Sequence, residues 1–291
     1  MRTASLPRNA HCRPGYRRLP LFLLAAALTA TALLTAPRAV AQELLYKPAD
    51  IRAESHQEIC LRYFYEHYSY YDDDTHGVAA TFVYRDLNRW TLFAEPIIQR
   101  KFGFDEGFIS LGGAYKFDSQ STLMETIGVP LGNNGTFPDF LTDTEFVHPI
   151  TPWLAMHLGY KLSIFETANV HALYAGTTIY PRDDLYLHLK LFEVITDFSG
   201  PAGSDATTSV LVKVGGFVNT THELALFYGR NAYSFVSAED VGNLNSNTFG
   251  MLWNFDMSRN WGILSSISYE TREKPYSGDQ FRLDIGLRFK L

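Results

Sequence analysis

The stretch EHYSYYD, residues 66–72, sets His67 and Ser69 two positions apart. Side chains alternate along an extended segment, so both would leave the same face of a strand. A histidine beside a serine is the pair that activates a hydroxyl for attack on an ester. Such a pair works only when a third group orients the imidazole, and the sequence names none. A histidine held in an interfacial aromatic belt accounts for the same residues, so a protein without catalysis is expected. No G-x-S-x-G, H-E-x-x-H or phosphate-cradling glycine loop occurs. Cys12 and Cys60 show no C-x-x-C spacing, and neither a metal nor a cofactor is expected.

A second set of chemical groups lies on one face of alternating segments. In LYLHLKL, Leu185, Leu187, Leu189 and Leu191 oppose Tyr186, His188 and Lys190. In LAMHLGYKLSI, Leu154, Met156, Leu158, Tyr160, Leu162 and Ile164 oppose His157, Gly159, Lys161 and Ser163. Carried through the chain, the alternation gives a polar face with Arg62, Arg85, Lys116, His157, Lys161, His188, Lys190, Lys213, Arg282 and Arg288. Against them stand Glu66, Glu95 and Asp284. A basic lining of this kind favours anionic solutes if the face borders a pore. Acids gather in the connecting segments: Asp72, Asp73, Asp74, Asp105, Glu106, Asp197, Asp205, Glu239 and Asp240. They suit divalent cations bridging to lipopolysaccharide phosphates. No spacing matches a defined calcium loop, and a solvated acidic rim is the simpler reading.

The elements that must hold these groups announce themselves by compartment and rhythm. Arg13, Arg17 and Arg18 precede an apolar run, and Ala39 and Ala41 frame a cleavage site, so residues 1–41 read as a secretory signal peptide. Cleavage there removes six arginines and no acid, taking the formal net charge from −6 to −12. A nucleic-acid binder needs a basic footprint and is excluded as an expectation. After residue 41 no apolar run is long enough for a membrane helix. Short polar turns begin at residues 86, 118, 149, 181, 219 and 256, which leaves room for a hairpin of about ten-residue strands in each interval. Longer polar loops alternate with them, among them FGFDEG and PLGNNGTFP, and none reads as a long segment folding inward. The four tryptophans, Trp90, Trp153, Trp253 and Trp261, all fall at short turns, as a girdle at one membrane interface would.

These signals predict an all-β, antiparallel transmembrane barrel of about fourteen strands over residues 58–291. A short periplasmic segment, 42–57, precedes it. The count falls to twelve if two weak segments near 121–148 are not strands. In hydrocarbon every backbone donor and acceptor needs a partner, so the sheet must close. CLRYFYEHYSY and FRLDIGLRFKL are the natural pair, with Leu61, Tyr63 and Tyr65 toward lipid and Arg62, Phe64 and Glu66 inward. Arg62 and Glu66 would then approach Arg282, Asp284 and Arg288.

With the strands placed, the chain resembles the YaiO family of outer-membrane β-barrel proteins. The resemblance runs from Cys60 to Leu291 and rests on YFYEHYSYYDDD, the run of hairpins and the closing LDIGLRFKL. It implies an outer-membrane location among lipid and lipopolysaccharide. Residues 281–291 resemble the terminal strand gripped by the barrel-assembly machinery, with Leu291 where an aromatic residue usually ends it. Helical repeats that precede the barrel in some relatives have no room in residues 42–57, which weakens a link to exopolysaccharide export. His67 and Ser69 also resemble the pair of outer-membrane lipases, but Tyr70 and Tyr71 stand where that motif continues with Asn and Gly. The expected role is a passive channel for small, anionic or saccharide solutes, with an envelope scaffold as the alternative.

Overall fold

The computed structural model describes residues 56–70, 74–86, 89–132, 136–200, 203–219, 221–231, 245–274 and 277–291. The expected signal peptide, the segment 42–55 and the loop acids Asp72, Asp73, Glu239 and Asp240 lie outside the described residues. Fourteen strands follow in chain order: β1 (His56–Tyr68), β2 (Thr75–Arg85), β3 (Trp90–Lys101), β4 (Phe104–Lys116), β5 (Thr122–Pro130), β6 (Phe140–Thr151), β7 (Leu154–Ile164), β8 (Ala168–Arg182), β9 (Leu185–Phe198), β10 (Ser204–Val218), β11 (His222–Arg230), β12 (Asn245–Asp256), β13 (Trp261–Lys274) and β14 (Gly278–Lys290). Each pairs antiparallel with its chain neighbours, and β1 pairs with β14 to close the barrel. The weak segments near 121–148 are the strands β5 and β6, so the count is fourteen.

Closure joins the expected pair of strands. Leu61 lies opposite Leu287, Tyr63 opposite Ile285 and Glu66 opposite Arg282. The last backbone bond runs from the Leu291 N–H to the Gln57 carbonyl, 2.8 Å. Outward positions are large and exposed, among them Leu61, Val78, Leu158, Leu226 and Ile285. Inward positions on the same strands are buried or half-buried. This is the inverse of a soluble protein, and it is the pattern that lipid as solvent selects.

The inner wall carries a recurring layer. Phe64 lies opposite Gly77, Phe93 opposite Gly112, Tyr174 opposite Gly159, Tyr186 opposite Gly215 and Phe227 opposite Gly250. In each pair the ring covers the glycine: a methyl group on Gly159 would meet Tyr174 at 2.2 Å, and one on Gly215 would meet Tyr186 at 2.4 Å. The ring thereby packs flat on backbone, which restores the contacts a glycine forfeits in a strand.

One expected loop is a tight turn. FGFDEG connects β3 to β4 through Phe102 and Gly103 alone, both left-handed at φ 53° and 80°. Two consecutive positive φ values make the turn whose twist matches a hairpin. Asp105 and Glu106 therefore belong to β4 and not to an outer rim, and Glu106 is buried on the inner face.

Candidate functional site

All thirteen charged and imidazole residues that alternation placed on the polar face carry the inward parity of their strands. The lining is nevertheless not basic. Glu58, Glu106, Asp143, Glu145, Glu223, Asp256 and Glu270 share that parity, and each meets a basic or hydroxyl group. These acids lie on β1, β4, β6, β11, β12 and β13, away from the Leu-rich strands whose alternation is most legible. Following FLTDTEFVHPIT at period two would have found Asp143 and Glu145.

At the closing seam the pairs are direct. Arg282 donates to Glu66 at 2.7 Å and to both oxygens of Asp284 at 2.9 and 3.0 Å. Lys101, reaching over from β3, lies 3.6 Å from Glu66, and the Tyr68 hydroxyl donates to the same carboxylate. Glu66 is 5% exposed, so this carboxylate depends on its partners rather than on water. Arg62 does not turn to β14 as expected. It crosses β2 to donate to Glu95 on β3 at 2.6 Å, where Thr81 also donates. Nearer the short turns Arg85 faces Glu58 at 3.8 Å and Arg288 donates to Asp256.

On the opposite wall the pairs run through imidazoles, hydroxyls and an ammonium. Glu145 on β6 accepts from His157 Nδ1 at 2.7 Å and from Lys190 at 2.8 Å. Thr178 Oγ1 stands 2.8 Å from His157 Nε2 and 2.8 Å from His188 Nδ1, so one hydroxyl joins two imidazoles whose rings meet edge to face. A hydroxyl has one proton, so Thr178 donates to one ring and accepts from the other. The Tyr174 hydroxyl donates to Asp143 at 2.7 Å, and the Tyr186 hydroxyl to Glu223 at 2.9 Å.

Both walls repeat one stack built on the covered glycines. Lys190 sits 4.7 Å above the Tyr174 ring, Lys213 5.4 Å above Tyr186, and Arg282 5.1 Å above Phe64. From backbone toward the axis the order is glycine, ring, cation, with a carboxylate beside it. The ring face offers negative charge density to the cation, which lowers the cost of holding it over the wall.

Toward the loop end the described residues Thr136 and Phe137 turn inward. Phe137, from the β5–β6 connection, stacks on the inward Phe108 with ring centres 5.0 Å apart. Leu141 and Ile97 complete the cluster. The Thr136 N–H donates to Glu106 at 3.0 Å and its hydroxyl to the same carboxylate, which Gln99 reaches at 2.5 Å. In PLGNNGTFP the one aromatic ring, Phe137, is the signal.

His67 and Ser69 stand on the outer face, as expected, but they do not meet a common partner. His67 Nδ1 bonds Asp74 at 2.7 Å, while Ser69 Oγ accepts the Asp279 N–H at 2.7 Å. Asp74 is also held by the Tyr65 hydroxyl, 2.7 Å. These two bonds, Tyr65 first and His67 second, keep its carboxyl below the usual carboxylate range. The groups therefore tie the end of β1 to the β1–β2 connection and to the start of β14. Of the tryptophans, Trp90, Trp253 and Trp261 are exposed on the outer face, whereas Trp153 is half-buried in the β6–β7 turn. Trp90 packs on Tyr115 and Trp261 on Phe289, with ring centres 4.6 and 4.0 Å apart.

Comparison with known proteins agrees with this architecture. Among solved structures the chain is similar to the CymD monoaromatic hydrocarbon channel, with TM-score 0.58 and 8% identity over 85% of this chain and 92% of that one. It is similar to the Pseudomonas putida toluene transporter TodX at 0.51 and 10%, over 87% and 94%. A bacterial polysaccharide outer membrane secretin gives 0.50 and 7%, over 82% and 99%. At these identities the likeness is one of fold. No curated protein matches the chain. The model of the YaiO membrane beta barrel domain matches residues 56–234, more than half of the sequence. With a closed fourteen-strand wall, an apolar outer face and that match, the chain belongs to the YaiO family and is an outer-membrane β-barrel.

Proposed function

We propose that this protein is a narrow, passive channel for small polar solutes. The observation that carries the proposal is an inner wall of paired charges and hydroxyls inside a closed fourteen-strand barrel, wider than the eight-stranded kind that side chains fill. Acids and bases of the lining neutralise each other locally, so selectivity between cations and anions is weak. This departs from the anion preference that a basic lining would give. A wall crossed by ion pairs also suits polar solutes such as small saccharides better than the hydrocarbons named for CymD and TodX. The inward segment at Thr136–Phe137 narrows the passage near the loop end.

Planar-bilayer recording tests the reading. Stepwise conductance with a reversal potential near zero in a salt gradient is expected. Phe137→Ala frees the segment from Phe108 and raises single-channel conductance. Silent bilayers from folded, heat-modifiable protein overturn the channel reading and favour an envelope scaffold.

A further inference from the structure

We propose that Glu125, on the outer wall, is a binding site for a phospholipid with a primary ammonium headgroup, taken from the periplasmic leaflet. Glu125 shares the outward parity of Leu123, Ile127 and Val129, all exposed, and so projects toward lipid. Thr142 donates to one of its oxygens at 2.7 Å and Thr144 to the other. Both threonines lie on the outward face of β6, between the exposed Phe140 and Phe146. The result is a fixed carboxylate in an apolar band. An ionisable group facing lipid is costly and calls for a partner.

Among the described residues no base pairs with Glu125. Arg89 stands at the foot of the same wall, but it gives its guanidinium to Tyr115 at 3.0 Å and to Asp118 at 2.6 Å. Depth and shape then select the occupant. Glu125 lies opposite Gly113, and the next outward pair toward the turns is Leu123 and Tyr115. Tyr115 in turn lies opposite Trp90 at the start of β3. The carboxylate is therefore one outward position inside the aromatic pair, about 7 Å along the strand. Strand tilt shortens that in depth, within reach of headgroups at the short-turn, periplasmic side. Gly113 presents only backbone opposite Glu125, with the Leu92 side chain lying over it. Three N–H donors on a primary ammonium can complete the oxygens that two threonine hydroxyls leave half satisfied. A second copy placed there about a two-fold axis would set one Glu125 near another, with no cation between them.

Glu193 offers a control within the molecule. It also faces outward and accepts from Thr208 at 2.9 Å, but Asp197 and His171 follow toward the loops, where water reaches. It lies opposite Leu173 and beside the exposed Ile195, and one hydroxyl, that of Thr208, meets it where two meet Glu125.

Native mass spectrometry of the full chain in detergent, with added phosphatidylethanolamine, phosphatidylcholine or phosphatidylglycerol, tests the site. Phosphatidylethanolamine should be retained over the other two. E125Q keeps an acceptor for the threonines and removes the charge. It should lower that retention about tenfold, the scale of one charge-assisted hydrogen bond, while E193Q leaves it unchanged. Heat-modifiable migration of both variants certifies that the barrel is folded. Equal retention by E125Q and the unaltered chain, or no preference among headgroups, overturns the proposal. A change of oligomeric mass in E125Q without a change in lipid retention assigns the site to a second copy and overturns it too. None of these outcomes depends on whether the barrel conducts.

Discussion

The seam and the wall opposite it solve the same problem with different chemistry. At the seam, Arg282, Lys101 and Arg62 meet carboxylates directly, and the central acid Glu66 has three partners from three strands. Across the barrel, Glu145 meets Lys190 directly but reaches His188 through His157 and Thr178. Guanidinium pairs are rigid forks that fix two strands against each other. A chain of imidazoles and a hydroxyl fixes direction instead, because each proton decides the next donor. The place where the chain must close is held by permanent charge. The wall made of consecutive hairpins, where register is already set by short turns, carries the chain that protons can reverse.

Substitutions that erase one side of this contrast should rank accordingly. Glu66→Ala leaves Arg282 and Lys101 facing each other with a buried acid gone, and should cost about 3 kcal/mol or more in urea unfolding from vesicles. Gly159→Ala should follow at about 1–3 kcal/mol, since the new methyl displaces the Tyr174 ring and with it the bond to Asp143. Thr178→Val, nearly isosteric, strands two imidazole nitrogens and should cost about 1–2 kcal/mol in the same assay. Its signature is distinct: ring-nitrogen NMR shifts of His157 and His188 become independent of each other. Asp74→Asn should change global stability least and speed amide exchange in β1 near His67. The clasp made by Asp74 is fully present above the ordinary carboxylate pKa, because its folded value is lowered. It is lost only as pH falls through that lowered value, and exchange rates measured against pH should show the step there.

Much of this was legible from residue order, and the limits have physical causes. Period-two alternation in LYLHLKL and FRLDIGLRFKL gave strand faces, since lipid demands one apolar side. Turn spacing gave the hairpins. What alternation cannot give is the partner. Arg62 and Glu95 lie on strands separated by β2, and only the curvature of the wall brings them together. The weak segments near 121–148 were weak for a reason the structure displays: Glu125, Thr142 and Thr144 put polarity on the face where alternation expects grease. Glu106 looked like a rim acid until a two-residue turn at Phe102–Gly103 made it part of a strand. Phe137 could not be placed, because a loop ring declares its packing only when Phe108 is opposite it.

The register of β1 on β14 also orders events in time. Every other pairing joins strands consecutive in the chain, and each of those hairpins can form soon after its two strands exist. The bond from Arg282 to Glu66 spans 216 residues, and no shorter contact substitutes for it. Contacts of such separation come late and slowly, because their ends must search for each other. The first strand must therefore wait with an unpaired edge until the last has been made. A chain cut short of β14 would keep two open edges in a solvent that offers them no hydrogen bonds. Closure is thus the single long-range step in an otherwise local assembly, and the cluster of charges around Glu66 stands where that step is sealed.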